Sequence, residues 1–450
     1  MTGPTSAIAQ YVAQAAAAPE EARRRALAAV VDTVGVAIAG RADPGFAALR
    51  ETMRPEMASG PATVWATGER TSPAMAALLN GAAGHALDYD DVADQIYGHP
   101  SVVLVPAVLA VAEATGASGR DALAAYAAGF DVCCAVAAGM DVRAHYAHGW
   151  HSTATIGVLG ATAAVARLLG LDAGRTRHAL GIAASTASGS RQNFGTMTKP
   201  LHPGLAARDA VLSASLAAQG FTADESQLEA PLGYLNMYAS GGDPDAVVAA
   251  LATPWELARS GVNVKKYPCC YNTHRTGDAV LDLVRAHPIA PEEVAEIRLT
   301  LEPGGYAPLI HPRPQTGLEG KFSPEYVLAA AVLDREISLS TFLDASVQRP
   351  EAQNLLTRVT RHESAVPPEG PKDWEFAYAV VEIETKTGDV TRHRTDVPRG
   401  DCRAPLDQAA LETKFRDCVH FSSTGWNADH LLETLWNLDQ TPSITLPLTT

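Results

Sequence analysis

Apolar positions recur at helical spacing along most of the first 262 residues. Residues 19–38 show this period and stop at Gly40. Residues 102–115 are apolar nearly all round and stop at Gly116. Asp121 has the character of an N-cap for a helix over 122–138, and 153–169 and 176–188 follow with the same texture. A helix over 205–219 opens after Pro203-Gly204 and stops at Gly220. Small residues dominate these segments, so the pattern predicts closely approaching helices. No strand–GxGxxG–helix unit appears, which argues against a dinucleotide fold.

The period changes near residue 263. Ile297, Leu299 and Leu301 alternate within 294–301 and predict a strand. Segments 324–334 and 346–359 predict helices, and 377–385 with 390–395 predict a hairpin about Thr387-Gly388-Asp389. Pro398-Arg399-Gly400-Asp401 closes this region, after which 406–418 and 428–438 return to helix. The fold class read from this pattern is mainly α with a smaller α+β part. A large all-helical domain spans 1–262 and 399–450, and an α/β domain is inserted over 263–398.

Composition narrows the function. Of 450 residues, 47% are hydrophobic and 19% charged, and 50 acidic against 35 basic groups give a net charge of −15. That balance speaks against nucleic-acid binding. The one dense basic run, Arg23-Arg24-Arg25, follows Glu20-Glu21 and reads as a solvated helix with i,i+3 and i,i+4 pairs. The six cysteines form adjacent pairs and singles with no C-x-x-C spacing, which predicts reduced thiols, no metal set and a cytoplasmic setting. Met1–Ala18 has no basic residue ahead of its apolar stretch, so no secretory signal is expected. The most apolar run, 156–171, carries Arg167 and reads as a buried helix, not a membrane span.

Candidate chemistry is concentrated in short polar islands between the apolar helices. They are His85-Ala86-Leu87-Asp88-Tyr89-Asp90-Asp91, Gly98-His99-Pro100-Ser101, Gly149-Trp150-His151-Ser152-Thr153, Lys199-Pro200-Leu201-His202-Pro203-Gly204 and Lys265-Lys266-Tyr267-Pro268-Cys269-Cys270. His151 at a helix entry suits a general base, and also a structural hydrogen-bonder. His99 lies in a turn that equally serves to start a helix. Asp88, Asp90 and Asp91 are too close for a calcium loop, so an Asp orienting a His or fixing a helix terminus is expected in place of a metal. Lys199 and a helix N-terminus after Pro203-Gly204 would make a seat for a carboxylate; Lys265 and Lys266 begin the α/β domain, one of them turned to a cleft and the other to water, with His274 and Arg275 supplementing that positive face. Cys269 and Cys270 beside two lysines could carry lowered thiol pKa values, but a buried structural pair is the preferred reading.

These islands, with Lys321-Phe322-Ser323-Pro324-Glu325-Tyr326, resemble the MmgE/PrpD family in order and over most of the chain. The family includes 2-methylcitrate dehydratases, cis-aconitate decarboxylases and an iminodisuccinate epimerase. The resemblance implies a helical domain with an α/β lid, a homodimer, no cofactor, and a small anionic carboxylate as substrate, with no membrane or nucleic-acid partner. It places the family's acid on Asp88, its histidines on His99 and His151, its loop lysine on Lys199 and its lid lysine on Lys265, not Lys266. His151 becomes the base, His99 a second acid/base, and Asp88 the holder of an imidazole tautomer; Lys199, His202, Gly204, Lys265 and Arg275 bind substrate. Two departures stand against cis-aconitate as substrate. Val92 follows the Asp-Asp pair where the decarboxylases have Thr, and the family's lid Tyr falls on either Tyr306 or His311. The implied reaction is 2-methylcitrate dehydratase-like, with epimerisation or decarboxylation as alternatives. A non-catalytic binder of small acids is the rival from another class, disfavoured because binding needs charge but no base.

Overall fold

The structure, a computed structural model, describes residues 3–14 and 17–448. The fold is mainly helical, with a small four-stranded mixed sheet and a two-stranded antiparallel pair of Ala62–Thr63 with Arg70–Thr71. The chain divides into two compact units, one comprising the residues up to Val264 and those from Asp407 onward, the other Lys265–Leu406.

The first unit is built of helices whose starts are written in side chains. Asp43 caps Pro44–Met53, Ser72 caps Pro73–Ala86 and Asp172 caps Ala173–Thr186, each accepting from free N–H groups of the first turn. Asp121 is not a cap: the helix runs Gly119–Ala138 from Ser118, whose Oγ accepts the Asp121 N–H at 3.1 Å. Among the described residues this helix is the one long and apolar enough to cross a membrane, and most of it is buried. Its Asp131 accepts from the Tyr11 hydroxyl and from the Trp255 and Glu256 N–H groups, the behaviour of a core helix. The stretch after His151 divides at Ile156 into Ser152–Thr155 and Gly157–Leu168.

The largest difference from the sequence reading concerns Lys199–Gly204. It is not a loop before a helix; the helix runs Thr198–Ala218 and contains it. Pro200 falls in the first turn, where its missing N–H costs nothing. Pro203 removes one ladder bond, yet the helix continues because it is pinned against Pro73–Ala86. The contact is backbone to backbone: a Cβ on Gly204 would lie 2.5 Å from the Leu78 carbonyl oxygen, and one on Gly81 2.9 Å from Gly204 Cα. Gly204 is therefore a packing residue, and no helix terminus lies there to bind a carboxylate.

The C-terminal Gln408–Phe421 helix packs on Glu20–Ala39. Lys414, fully buried, pairs with Asp32 at 2.6 Å and donates to the Tyr89 carbonyl at 2.9 Å. Its Nζ also sits 3.9 Å from the Tyr89 ring centroid.

In the second unit a four-stranded sheet runs Val359–Glu363, Val294–Leu301, Ala379–Thr385, Val390–Thr395; the first pairing is parallel and the others antiparallel. Ile297, Leu299 and Leu301 bury one core with Val280, Leu283 and Val327 from His274–Ala286 and Pro324–Asp334. The single helix expected over 346–359 is two, Asp344–Val347 and Pro350–Leu356, because Pro350 starts a new one; Val359 already opens a strand. That strand lacks apolar alternation, so its pairing has no signal in the sequence. Arg399 bonds Asp278 at 2.8 Å and Asp282 at 2.7 Å, and Asp401 accepts the Tyr271 hydroxyl at 3.0 Å, all within this unit.

Gly204→Ala should destabilise the protein by about 1–3 kcal/mol, the usual cost of forcing a methyl into a closed contact. Chemical denaturation measures it. Full stability combined with weakened substrate binding would restore Gly204 to the binding role.

Candidate active site

The Pro73–Ala86 helix delivers the first part of the site. His85 lies in its last turn, and the chain then turns sharply through Asp88, whose φ of +52° is left-handed. Asp tolerates that region better than most residues. The turn sends the three carboxylates in different directions. Asp88 accepts from Lys199 Nζ at 2.6 Å. Asp90 Oδ2 lies 2.8 Å from His85 Nδ1 and 3.2 Å from His99 Nδ1. Asp91 accepts the Ser101 N–H at 3.3 Å and the Ser101 hydroxyl, which lies 2.6 Å from the Tyr126 hydroxyl.

The second part comes from the Thr198–Ala218 helix. Lys199 and His202 are three residues apart, so they share a face. His202 Nδ1 lies 3.1 Å from His151 Nδ1, so one of these nitrogens carries a proton and the other accepts it. His151 precedes Ser152–Thr155, and its own N–H is held by the Gly189 carbonyl at 3.0 Å. Gly189 is needed here: its φ is +129°, and a Cβ would press on both His151 and His202 at 3.4 Å. His99 is fixed through its N–H to Thr153 Oγ1 at 3.0 Å.

Four imidazoles are thus gathered. Ring centroids are 4.6 Å apart for His85 and His99, 5.8 Å for His85 and His151, 6.5 Å for His99 and His151, and 5.3 Å for His151 and His202. Phe194 packs against His151 at 4.9 Å and lies 5.2 Å from Lys199 Nζ.

The electrostatics follow from burial and from Lys199. Burial, then the neighbouring His85 and Lys199, hold His151 well below the ordinary imidazole range. Burial pushes His85 down to about 3, with Lys199 adding to the effect. His202 is lowered by burial and by Lys199. These rings are neutral at pH 7 and able to accept a proton. Burial opposes ionisation of Asp90, but the facing His85 and His99 outweigh it and keep the carboxylate charged. Burial pushes Asp91 up to about 8; the bonds from Ser101 oppose this, and Asp32 and Asp90 add repulsion.

Of the residues read from the sequence, Asp88, His99, His151, Lys199 and His202 meet in the first unit. The carboxylate found on imidazole nitrogens is Asp90, whereas Asp88, to which that task was assigned, holds Lys199. His85 has no role in the sequence reading, and Asp90 is there one of three aspartates among which an Asp orienting a His is expected. The one available signal was their place in the 85–91 island, and three equivalent aspartates concealed which mattered. His85 Nδ1, His99 Nδ1 and an Asp90 oxygen lie within 4.8 Å of one another, so this trio could hold an ion among the described residues. The 2.8 Å His85–Asp90 separation is that of a direct N–H···O bond.

Lys265 and Arg275 belong to the second unit. Lys265 is buried and Lys266 half-buried. Arg275 donates to the Asp396 carbonyl at 2.7 Å. Tyr306 donates to the Leu299 carbonyl at 2.8 Å, and His311 is half-buried. Cys269 lies 3.1 Å from Thr273 Oγ1, and burial pushes its thiol up to about 12, so it is an inert packing residue.

Two family models match the chain: the MmgE/PrpD N-terminal domain over residues 6–247 and the MmgE/PrpD C-terminal domain over 267–439. Cis-aconitate decarboxylase of Homo sapiens is 28% identical over 419 residues, covering 91% of this chain and 86% of the relative. The Mus musculus protein of the same name is 30% identical over 405 residues, covering 87% and 81%. That of Aspergillus terreus is 26% identical over 441 residues, covering 92% and 89%.

Asp91→Asn should change how stability depends on pH. The Asp91 carboxyl titrates near 8 when folded, against an ordinary value of 3.8, so between these values the folded state holds the extra proton. Stability from this group is therefore lost as pH rises through that window. Melting temperatures from pH 5 to 8 should move in favour of Asp91→Asn as pH increases. A difference independent of pH would contradict a protonated Asp91.

Proposed function

The chain belongs to the MmgE/PrpD family, and from that premise we propose that it is a lyase moving a proton at a carbon beside a carboxylate of a small di- or tricarboxylate. The observation that carries this reading is the meeting of neutral, buried His151 with His99, His202 and the Lys199–Asp88 pair. Binding an acid calls for cations. It does not call for several imidazoles held neutral by burial.

In this reading Lys199 attracts a substrate carboxylate and offsets the negative charge that grows there as the neighbouring carbon loses its proton. His151 donates its Nδ1–H to His202 Nδ1 and takes the carbon-bound proton at Nε2. The C–H electron pair moves into the adjacent carboxylate as an enediolate. When that pair returns to form C=C, hydroxide leaves the next carbon and departs as water with a proton from imidazolium His99, which took that proton up at Nε2 before the step. Dehydration is the leading assignment. Val92 supports it, because it stands where the decarboxylases have a hydroxyl-bearing Thr; its backbone is bridged to Asn263.

A second reading is favoured by the relatives, whose names specify decarboxylation of cis-aconitate. There a C–CO2 bond breaks, CO2 leaves, and the electron pair left on carbon is protonated by an imidazolium. The same residues serve, with proton delivery in place of removal.

Incubation with a panel of di- and tricarboxylates in heavy water tests both. Loss of water with a new C=C supports dehydration, and CO2 release supports decarboxylation. Deuterium uptake with neither points to epimerisation. No reaction across the panel would overturn the enzymatic assignment. His151→Gln should leave folding intact and lower turnover by about 100-fold or more, the usual size for a lost general base. Near-normal turnover of the folded variant would remove His151 from the chemistry.

A further inference from the structure

We propose that Asp90 is a positioning residue that fixes the tautomer of His99, with His85 as its anchor, so that Nε2 is the nitrogen at which His99 takes up and releases a proton toward substrate. One oxygen, Asp90 Oδ2, faces Nδ1 of both rings, at 2.8 Å for His85 and 3.2 Å for His99. The rings meet edge to face at 72°. His85 Nδ1 is hydrogen-bonded to this oxygen, whereas His99 Nδ1 faces it as a charge contact without hydrogen-bond geometry; a lone pair aimed at a carboxylate oxygen would be repelled, so each ring nitrogen turned toward it carries the proton. In the neutral form of either ring the lone pair is then on Nε2.

The two rings differ in access. The His85 and Asp90 side chains are both 0% exposed, whereas His99 keeps 14%. His85 is held in the last turn of the Pro73–Ala86 helix, so its bond ties the Asp90 carboxylate to a rigid element. His99 is the ring a substrate can reach. Its backbone N–H is held by Thr153, so ring rotation and tautomer are the freedoms left, and Asp90 restricts both. When His99 takes up a proton at Nε2, the charge forms beside an ionised carboxylate that needs no rearrangement to stabilise it. Asp90 touches neither substrate nor reacting atoms in this scheme; it acts through His99.

The proposal rests on His99 as an acid/base, but its test does not need the substrate. In 15N-histidine-labelled protein without ligand, long-range proton–nitrogen spectra report the tautomer of each ring, with His99 assigned by its loss in His99→Gln. The expected result is an Nδ1–H tautomer for His99 and His85. In Asp90→Asn, His99 should move to a mixed or Nε2–H tautomer, and kcat should fall about 100-fold or more with KM changed less than about threefold. An Nε2–H His99 in the unmodified protein overturns the proposal, and so does Asp90→Asn with tautomer and kcat unchanged. If Asp90→Asn does not fold, the unmodified protein's spectrum alone decides. An Nδ1–H His99 in a protein that processes no acid in the panel would uphold the positioning role and remove the reaction assignment.

Discussion

The contact between Gly81 and Gly204 sets the dimensions of the site. Two helices can approach backbone to backbone only where neither carries a Cβ. His85 and the 88–91 turn lie just beyond Gly81, and Lys199 and His202 lie just before Gly204. Bringing the two glycines together therefore brings the end of one helix against the start of the other. The Lys199–Asp88 bond, at 2.6 Å, spans that gap. A wider crossing would separate the cation from the carboxylate and open the site to water. The closeness that small residues permit is thus what allows charged groups to be buried with partners.

The electrostatic design is local. A net charge of −15 would repel an anionic substrate at long range. Within the site the balance differs: Lys199 and the edges of four imidazoles face two ionisable aspartates that are already engaged. Asp88 holds the lysine and Asp90 faces two rings, while Asp91 is kept neutral and tied to Ser101 and Tyr126. Three neighbouring aspartates thus hold different tasks, divided by one left-handed residue at the head of the turn.

Much of this was legible in the sequence, and the limits have physical causes. Helical periodicity located most helices of the first unit, and polar islands breaking apolar segments marked the histidines and Lys199. What the pattern could not show was direction. Side chains at 88, 90 and 91 diverge because of a φ angle, which no spacing encodes. Pro203-Gly204 is ordinarily a helix-starting pair, so the pattern predicts a start at 205, whereas tertiary packing carries the helix over Thr198–Ala218. The 359–363 strand leaves no pattern in the sequence because Arg361, His362 and Glu363 give it no buried face to alternate. His85 was hidden by its surroundings, an Ala/Gly-rich helix end that looks wholly structural.

Lys414 carries a consequence for biosynthesis. It grips the Tyr89 carbonyl between Asp88 and Asp90, across 325 residues of chain. On a ribosome adding about 5–20 residues per second, roughly 16–65 s separate the appearance of the two partners. Throughout that interval Asp32 lacks its cation and the aspartate turn lacks its clasp. The candidate site therefore gains this clasp only when residue 414 of 450 has been made.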